Sequence, residues 1–234
     1  MPAAVAPRDL MRMHIDALYT HDAAGDLLCV NEAAGGGAPA PRFYIGATTD
    51  GCVRRFRHDV TSALRAALAA ADDGELADLA MPPSAARYER IVGCYAPVNK
   101  TWTGPAFTFP ARLPRLGETT IVGASMAPLL DALLPAWIPD VSTCQPMVVV
   151  VVDGKAISIC ASVRITDEAD EAGVDTALEY RGRGYAAQAA AAWATAVRDL
   201  GRVPLYSTSW TNAASRSVAR KLSLVHFGND LHIT

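Results

Sequence analysis

Two rhythms of apolar and polar residues run along this chain, and they are clearest in its second half. Met147 to Val152 is an uninterrupted apolar run of strand length, which reads as a buried strand. Ala156–Arg164 resumes after Asp153-Gly154, a pair that tolerates the positive φ of a tight hairpin, so these two strands are expected to lie antiparallel. Gly173–Leu178 reads as a third strand. After it, Tyr185, Ala189, Trp193, Ala196, Val197 and Leu200 fall on one face of a helical period, and Gly201 supplies the stop. Leu205–Trp210 carries aromatic and β-branched residues and predicts a strand. Asn212 is placed to cap a short helix through Leu222, and Leu224–Ile233 closes the chain as a strand. Residues 173–210 therefore form a strand-helix-strand unit, whose two strands must run parallel.

The first half is less regular. His14–Tyr19 and Leu27–Asn31 alternate as strands would, with Asp22–Gly25 as the turn, and Arg42–Gly46 starts a third strand. Ala33–Pro41 is rich in Gly, Ala and Pro and predicts an exposed loop. Val60–Ala71, with Leu64 and Leu68, has helical spacing, and Glu75–Met81 predicts a shorter helix. From Pro97 to Gly117 the chain passes Gly104, Pro105, Pro110 and Pro114, which resist regular structure and mark a domain junction near residue 115. Beyond it, Glu118–Val122 reads as a strand, and Ser125 as the cap of a helix through Leu129, Leu130, Leu133 and Leu134. The expectation is an α+β region of unassigned role over 1–115 and a second, α/β unit over 116–234.

Composition narrows the function class. With 234 residues, 51% hydrophobic and 19% charged, the chain can bury a core and is not a disordered one. A net charge of −3 without runs of one sign gives no footprint for nucleic acid or for an anionic membrane surface, so neither is expected as a partner. No apolar stretch is long enough to span a bilayer, and the N-terminus lacks the apolar core of a secretory signal, so a cytoplasmic location is expected. Five scattered cysteines without a C-x-x-C pair suit free thiols better than a disulfide framework or a zinc site. His14, His21 and His58 are too isolated to suggest a metal, and none is assigned.

The candidate chemistry lies at Arg181-Gly182-Arg183-Gly184-Tyr185-Ala186, between a predicted strand and a predicted helix. Backbone N–H groups at such a helix start point outward unsatisfied, and glycines let an anion reach them. A P-loop would need Gly-Lys-Ser/Thr where Tyr185 follows Gly184, and a dinucleotide motif would need glycine where Ala187 stands. The pattern Arg-x-x-Gly-x-Ala instead resembles motif A of the GNAT acetyltransferase superfamily. The stretch from Asn212 through Ser215, Ala219 and Lys221 to Leu222 resembles that superfamily's motif B, again after a strand. Alone, RGRGYA would suit an ordinary solvated turn; a second motif in register favours the resemblance, which covers about the last half of the chain.

The resemblance implies a mixed, mostly antiparallel sheet with a central parallel strand pair that splays apart, flanked by helices. It implies acetyl-CoA as co-substrate, with Arg181, Gly182, Arg183, Gly184, Tyr185 and Ala186 on its pyrophosphate. Main-chain groups of Val174, Asp175 and Thr176 would take the pantetheine, and Asn212 and Ser215 would lie along the far side. The implied reaction is direct attack on the thioester by the amine of a small molecule or peptide, in a ternary complex; a homodimer is compatible with it. Many members place an acidic tyrosine seven positions after the motif B asparagine, where this chain has Ala219. Tyr206 and Ser215 are the substitutes, with His226 a third, and Glu179 and Asp175 are possible bases, although a carboxylate beside Arg181 also suits simple pairing. Trp102–Pro110 could line an acceptor pocket or pack an interface. The other reading is a non-catalytic CoA or acyl-CoA sensor with a degenerate site, which the Ala219 departure would allow.

Overall fold

The computed structural model describes residues 5–71 and 78–234. Its centre is one nine-stranded sheet, and the strands nearest the middle come from both halves of the chain. The second half supplies β7 (Met147–Val152), β8 (Lys155–Ile165), β9 (Ala169–Thr176), β10 (Val203–Ser207) and β11 (Val225–Ile233). The first half supplies β3 (Phe43–Thr48), β4 (Gly51–Phe56) and β5 (Thr101–Thr108), and a two-residue strand, β6 (Thr120–Ile121), lies at the far edge. The order is β4-β3-β11-β5-β10-β9-β8-β7-β6, with β9 and β10 parallel and every other neighbouring pair antiparallel. The mostly antiparallel sheet with a central parallel pair is the architecture the sequence leads one to expect. The hairpin β7–β8 turns at Asp153 and Gly154, both at positive φ (49° and 73°).

Four expectations are corrected. His14–Tyr19 is not strand but the end of a helix, α1 (Pro7–Leu18), followed by the short hairpin β1 (Tyr19–His21) and β2 (Leu27–Val30). Leu10, Met11, His14, Ile15 and Ala17 are its buried positions, a helical stripe that over six residues also looks alternating. The Pro97–Gly117 segment is not irregular throughout: β5 lies inside the sheet, and its Pro105 is tolerated beside a strand switch where β10 pairing ends. The helix expected from Ser125 is two 3₁₀ segments, Ala124–Leu130 and Pro135–Asp140, interrupted by Pro128 and Pro139, and Gly123 rather than Ser125 precedes the first. The third strand of the second half begins earlier than expected and ends at Thr176. The expected helix at Glu75–Met81 lies partly outside the described residues.

Both faces of the sheet are covered. One carries α4 (Tyr185–Asp199) and α5 (Ala213–Lys221), with α2 (Ser62–Ala69) and α3 (Ala86–Gly93) on β3 and β11. The other carries α1 and the 3₁₀ segments. Consecutive residues of β10 show the division: Leu205 packs with α1, and Tyr206 with α4 and α5. Helix α4 lies close to the sheet because its inner face is Ala187, Ala190, Ala191 and Ala194, with Trp193 anchored by its indole N–H to Ser162 Oγ at 3.0 Å. On the other face, a Cβ at Gly46 or Gly228 would collide with Met11, so both glycines are what lets α1 seat there.

Candidate functional site

Strands β9 and β10 are hydrogen-bonded neighbours only at Ala169–Val203, Asp170–Pro204 and Glu171–Leu205. Beyond that last pair β9 runs on to Thr176, held only by β8, while β10 runs on to Ser207, held only by β5. The pair therefore opens into a cleft at the carboxyl ends of two parallel strands, where backbone groups turned toward the gap lack a strand partner. Such groups are available to an extended ligand.

The Arg181–Ala186 turn stands at the mouth of this cleft. Gly182 and Gly184 take φ of 77° and 91°, which side chains disfavour, and the position of Gly182 is open for 4 Å around a would-be Cβ. Gly184 caps α4, and Gln188 N–H returns to its carbonyl at 3.1 Å. The N–H groups of Tyr185, Ala186 and Ala187 precede that bond and face outward without an acceptor inside the helix. A Cβ on Gly184 would strike Lys221 Nζ, so a cation from the end of α5 is set against the turn. An N-terminal helix turn, two positive-φ glycines and an ammonium fit a pyrophosphate. The Arg181 side chain turns back instead: its Nε donates to the Thr176 carbonyl at 2.9 Å, and Nη2 lies 3.6 Å from Asp175 Oδ1. Asp175 Oδ1 also accepts from the Thr176 N–H at 2.7 Å, so the Thr176 main chain already has partners at both ends, while Arg183 lies over the Tyr180 ring.

On the α5 side, Asn212, Ser215 and Tyr206 form one hydrogen-bonded run. Asn212 Oδ1 accepts from the Ser215 N–H at 3.0 Å as the helix cap, and Ser215 Oγ lies 2.6 Å from the Tyr206 hydroxyl. Burial pushes the Tyr206 phenol up to about 12, against the Ser215 hydrogen bond, so it keeps its proton through the neutral range. Ala219 is buried beside it in the apolar layer under α4. A cavity of about 200 Å³ lies along the outer side of α5, between Ala219, Arg216, Trp210, Phe107 and His226. His226 is held there by the Gly228 carbonyl and by Asn229 Oδ1, at 2.9 and 3.0 Å, and burial lowers its pKa. Glu179 sits in a single 3₁₀ turn before the nest.

The opposite face of the cleft holds what sequence reasoning missed. Glu171, the last β9 residue still paired with β10, is 2% exposed, and its Oε1 is bonded to Nδ1 of the fully buried His14 on α1. Across the ring, Nε2 of His14 lies 3.0 Å from Oδ2 of the fully buried Asp230 on β11, which also accepts from the Tyr44 hydroxyl at 3.0 Å. The second oxygen of Glu171 accepts from Ser207 Oγ at 3.2 Å, and Ser207 is half-buried at the end of β10. Burial works to lower the His14 pKa, but the Glu171 charge and the hydrogen bonds to Asp230 and Glu171 outweigh it and raise it to about 10. Among the described residues, no group of three or more His, Cys, Asp or Glu side chains is arranged to hold a metal ion. Nor is any helix long and apolar enough to cross a membrane.

Residues 148–228, from the first strand of the hairpin to the middle of β11, match the family model described as GNAT acetyltransferase. This segment resembles a GNAT acetyltransferase domain. No curated protein matches the chain. Similar solved structures include a GNAT-family protein from Novosphingobium aromaticivorans (20% identity, TM-score 0.47), covering 58% of this chain and 65% of that one. A GCN5-related N-acetyltransferase-like protein from Streptococcus suis is 19% identical with TM-score 0.47, over 64% and 69% of the two chains. A GNAT-family acetyltransferase from Colwellia psychrerythraea is 14% identical with TM-score 0.46, over 62% and 60%. The chain thus spans between 60% and 69% of the length of these three proteins.

Within the GNAT segment, the expected cofactor residues Val174, Asp175, Thr176, Arg181–Ala186, Asn212 and Ser215 gather around the cleft mouth and α5, and Tyr206 joins Ser215. Glu171 and Ser207 also lie in the GNAT segment, but His14 and Asp230 lie outside it. The clue to His14 was present: once Leu10, Met11 and Ile15 are read as a helical stripe, a histidine within it demands a buried partner. The clue to Asp230 was an acid in a strand that ends on the apolar residues Leu231 and Ile233.

Proposed function

We propose that the cleft binds acetyl-CoA and that the protein transfers its acetyl group to an amine by direct attack within a ternary complex. The observation that carries this reading is the anion nest at Arg181–Ala186, faced by Lys221, at the mouth of a parallel strand pair that opens beyond Glu171 and Leu205. Bound there, the co-substrate would supply an activated thioester. The nest and Lys221 would hold its pyrophosphate, and the free edge of β9 around Val174 would align its extended arm. An amine with a pKa of about 10.4 is only ~0.04% neutral at pH 7, so the site needs a proton acceptor. Glu171, reached through Ser207 on the α1 face of the cleft, is placed for that role, a better position than Glu179 or Asp175, which has Arg181 and the Thr176 N–H as partners. The Tyr206–Ser215 hydroxyl pair, on the other face, is the candidate for returning a proton to the departing thiolate. Five free cysteines support a reducing, cytoplasmic setting.

Thermal melts with added acetyl-CoA test the reading. At a hundred times Kd the gain in stability should be about 2.7 kcal/mol, and Gly184→Asp, which sets a carboxylate in the nest, should remove that gain. The melting temperature of the unliganded variant separates lost binding from lost folding. An unresponsive wild type sinks the proposal. Binding without thiol release against a panel of amines would instead favour a non-catalytic acyl-CoA sensor.

A further inference from the structure

The His14–Glu171–Asp230 cluster draws on α1, β9 and β11, and two of its three members fall outside the segment that matches the GNAT model. Building on acyl transfer at this cleft, we propose that His14, braced by Asp230, is a positioning residue that holds the Glu171 carboxylate with its second oxygen turned toward Ser207, so that Glu171 can take up the acceptor's proton.

Three features of the cluster separate this role from that of a buried strut. The first is charge. The His14 imidazolium lies between two acids, one more than it can pair with, whereas a strut needs only one acid for one base. The cluster's other titratable neighbours do not offset that second acid. The Tyr19 phenol of β1 and the Tyr44 phenol of β3 are pushed up by burial and stay protonated, and burial lowers His232 of β11 so that it is neutral at pH 7.

The second feature is direction. Both ring nitrogens of His14 and Oδ2 of Asp230 are spent inside the cluster, whereas Oε2 of Glu171 faces outward to the half-buried Ser207 hydroxyl. The third is place. Glu171 is the residue at which β9 and β10 part, so the oxygen that meets Ser207 belongs to the residue at the root of the cleft.

The step balances without another reactant. As the amine nitrogen bonds to the thioester carbonyl carbon, its proton passes to Ser207 Oγ while the Ser207 proton passes to Glu171 Oε2. The carbon–sulfur bond then breaks, and the thiolate leaves with its electron pair. Glu171 ends neutral, with His14 still an imidazolium against Asp230.

The test compares wild type, His14→Gln and Ser207→Ala in acetyl transfer to one amine across the pH range, alongside acetyl-CoA affinity. His14→Gln should lower kcat by about 10²-fold with acetyl-CoA affinity retained. It should also move the acid limb of kcat/KM up by about one pH unit or more, because a buried carboxylate that has lost its cation ionises less readily. Ser207→Ala should lower kcat while leaving the histidine signals in place. Nitrogen-15 histidine spectra of the wild type provide a readout that survives a poorly folding variant: at pH 8 both His14 nitrogens should be protonated. A neutral His14 at pH 8, or an unshifted acid limb in an active His14→Gln, overturns this inference and leaves acyl transfer standing. A wild type that binds acetyl-CoA yet transfers to no amine overturns both.

Discussion

A single buried histidine gives the molecule a pH dependence that can be signed in advance. His14 titrates near 6.5 when unfolded and is raised to about 10 in the fold, so between those values the native state holds one more proton than the unfolded chain. Its stabilising contribution is complete below about pH 6.5 and is lost as pH climbs through about 10. Urea unfolding between these values should show stability falling by up to ~1.4 kcal/mol per pH unit, and His14→Gln should remove that share of the slope. The same substitution leaves two buried carboxylates without their cation and should cost about 3–5 kcal/mol near neutral pH. A wild-type stability flat across this window would mean that His14 is not an imidazolium. At this scale the sequence hides the essential fact. A lone histidine 157 positions from one partner and 216 from the other offers no local pattern, because the contacts exist only once three elements have assembled.

Elements whose rules are local were readable, and α4 and α5 show why. Gly184 at positive φ, Gly201 after the last turn of α4, and Asn212 accepting from the Ser215 N–H each obey a rule that spans a few residues. Asn212→Ala should therefore cost about 1 kcal/mol, with Asn212→Ser or Asn212→Asp within a few tenths of wild type. Chemical denaturation checks the ranking, and equal losses for all three would show that Asn212 does more than cap. Where a rule is not local, the reading failed. Six residues of α1 cannot distinguish a helical stripe from alternation, and Pro105 and Gly104 in β5 look like breakers although the sheet accepts them. Gly104 is required for a reason invisible in sequence: a Cβ there would run into the Thr208 carbonyl and Trp102. Pro128 and Pro139 did carry information, and reading them as helix breakers would have predicted the short 3₁₀ turns.

For the whole molecule, the decisive strand is β5. It lies between β10 and β11, pairing with the first over Leu205–Ser207 and with the second from Val225 to Ile233, although it belongs to the first half of the chain. The outer edges need no such help: β6 is two residues long, and β4 carries Arg54 and Arg55. A fragment of residues 116–234 would keep the GNAT segment and both of its motifs. It would also leave β11 with neither neighbour and β10 paired only with β9, and strip α1 from Leu205, Phe227 and Asp230. Two open edges in the middle of a sheet invite association, and an acid that loses both its histidine and its tyrosine favours unfolding. We therefore expect the 116–234 fragment to aggregate or to lack a cooperative thermal transition, and to regain one when co-expressed with residues 1–115. A soluble fragment that melts cooperatively and is stabilised by acetyl-CoA would show instead that the sheet can close without β5. It would also make the first half an accessory to the cleft rather than part of its floor.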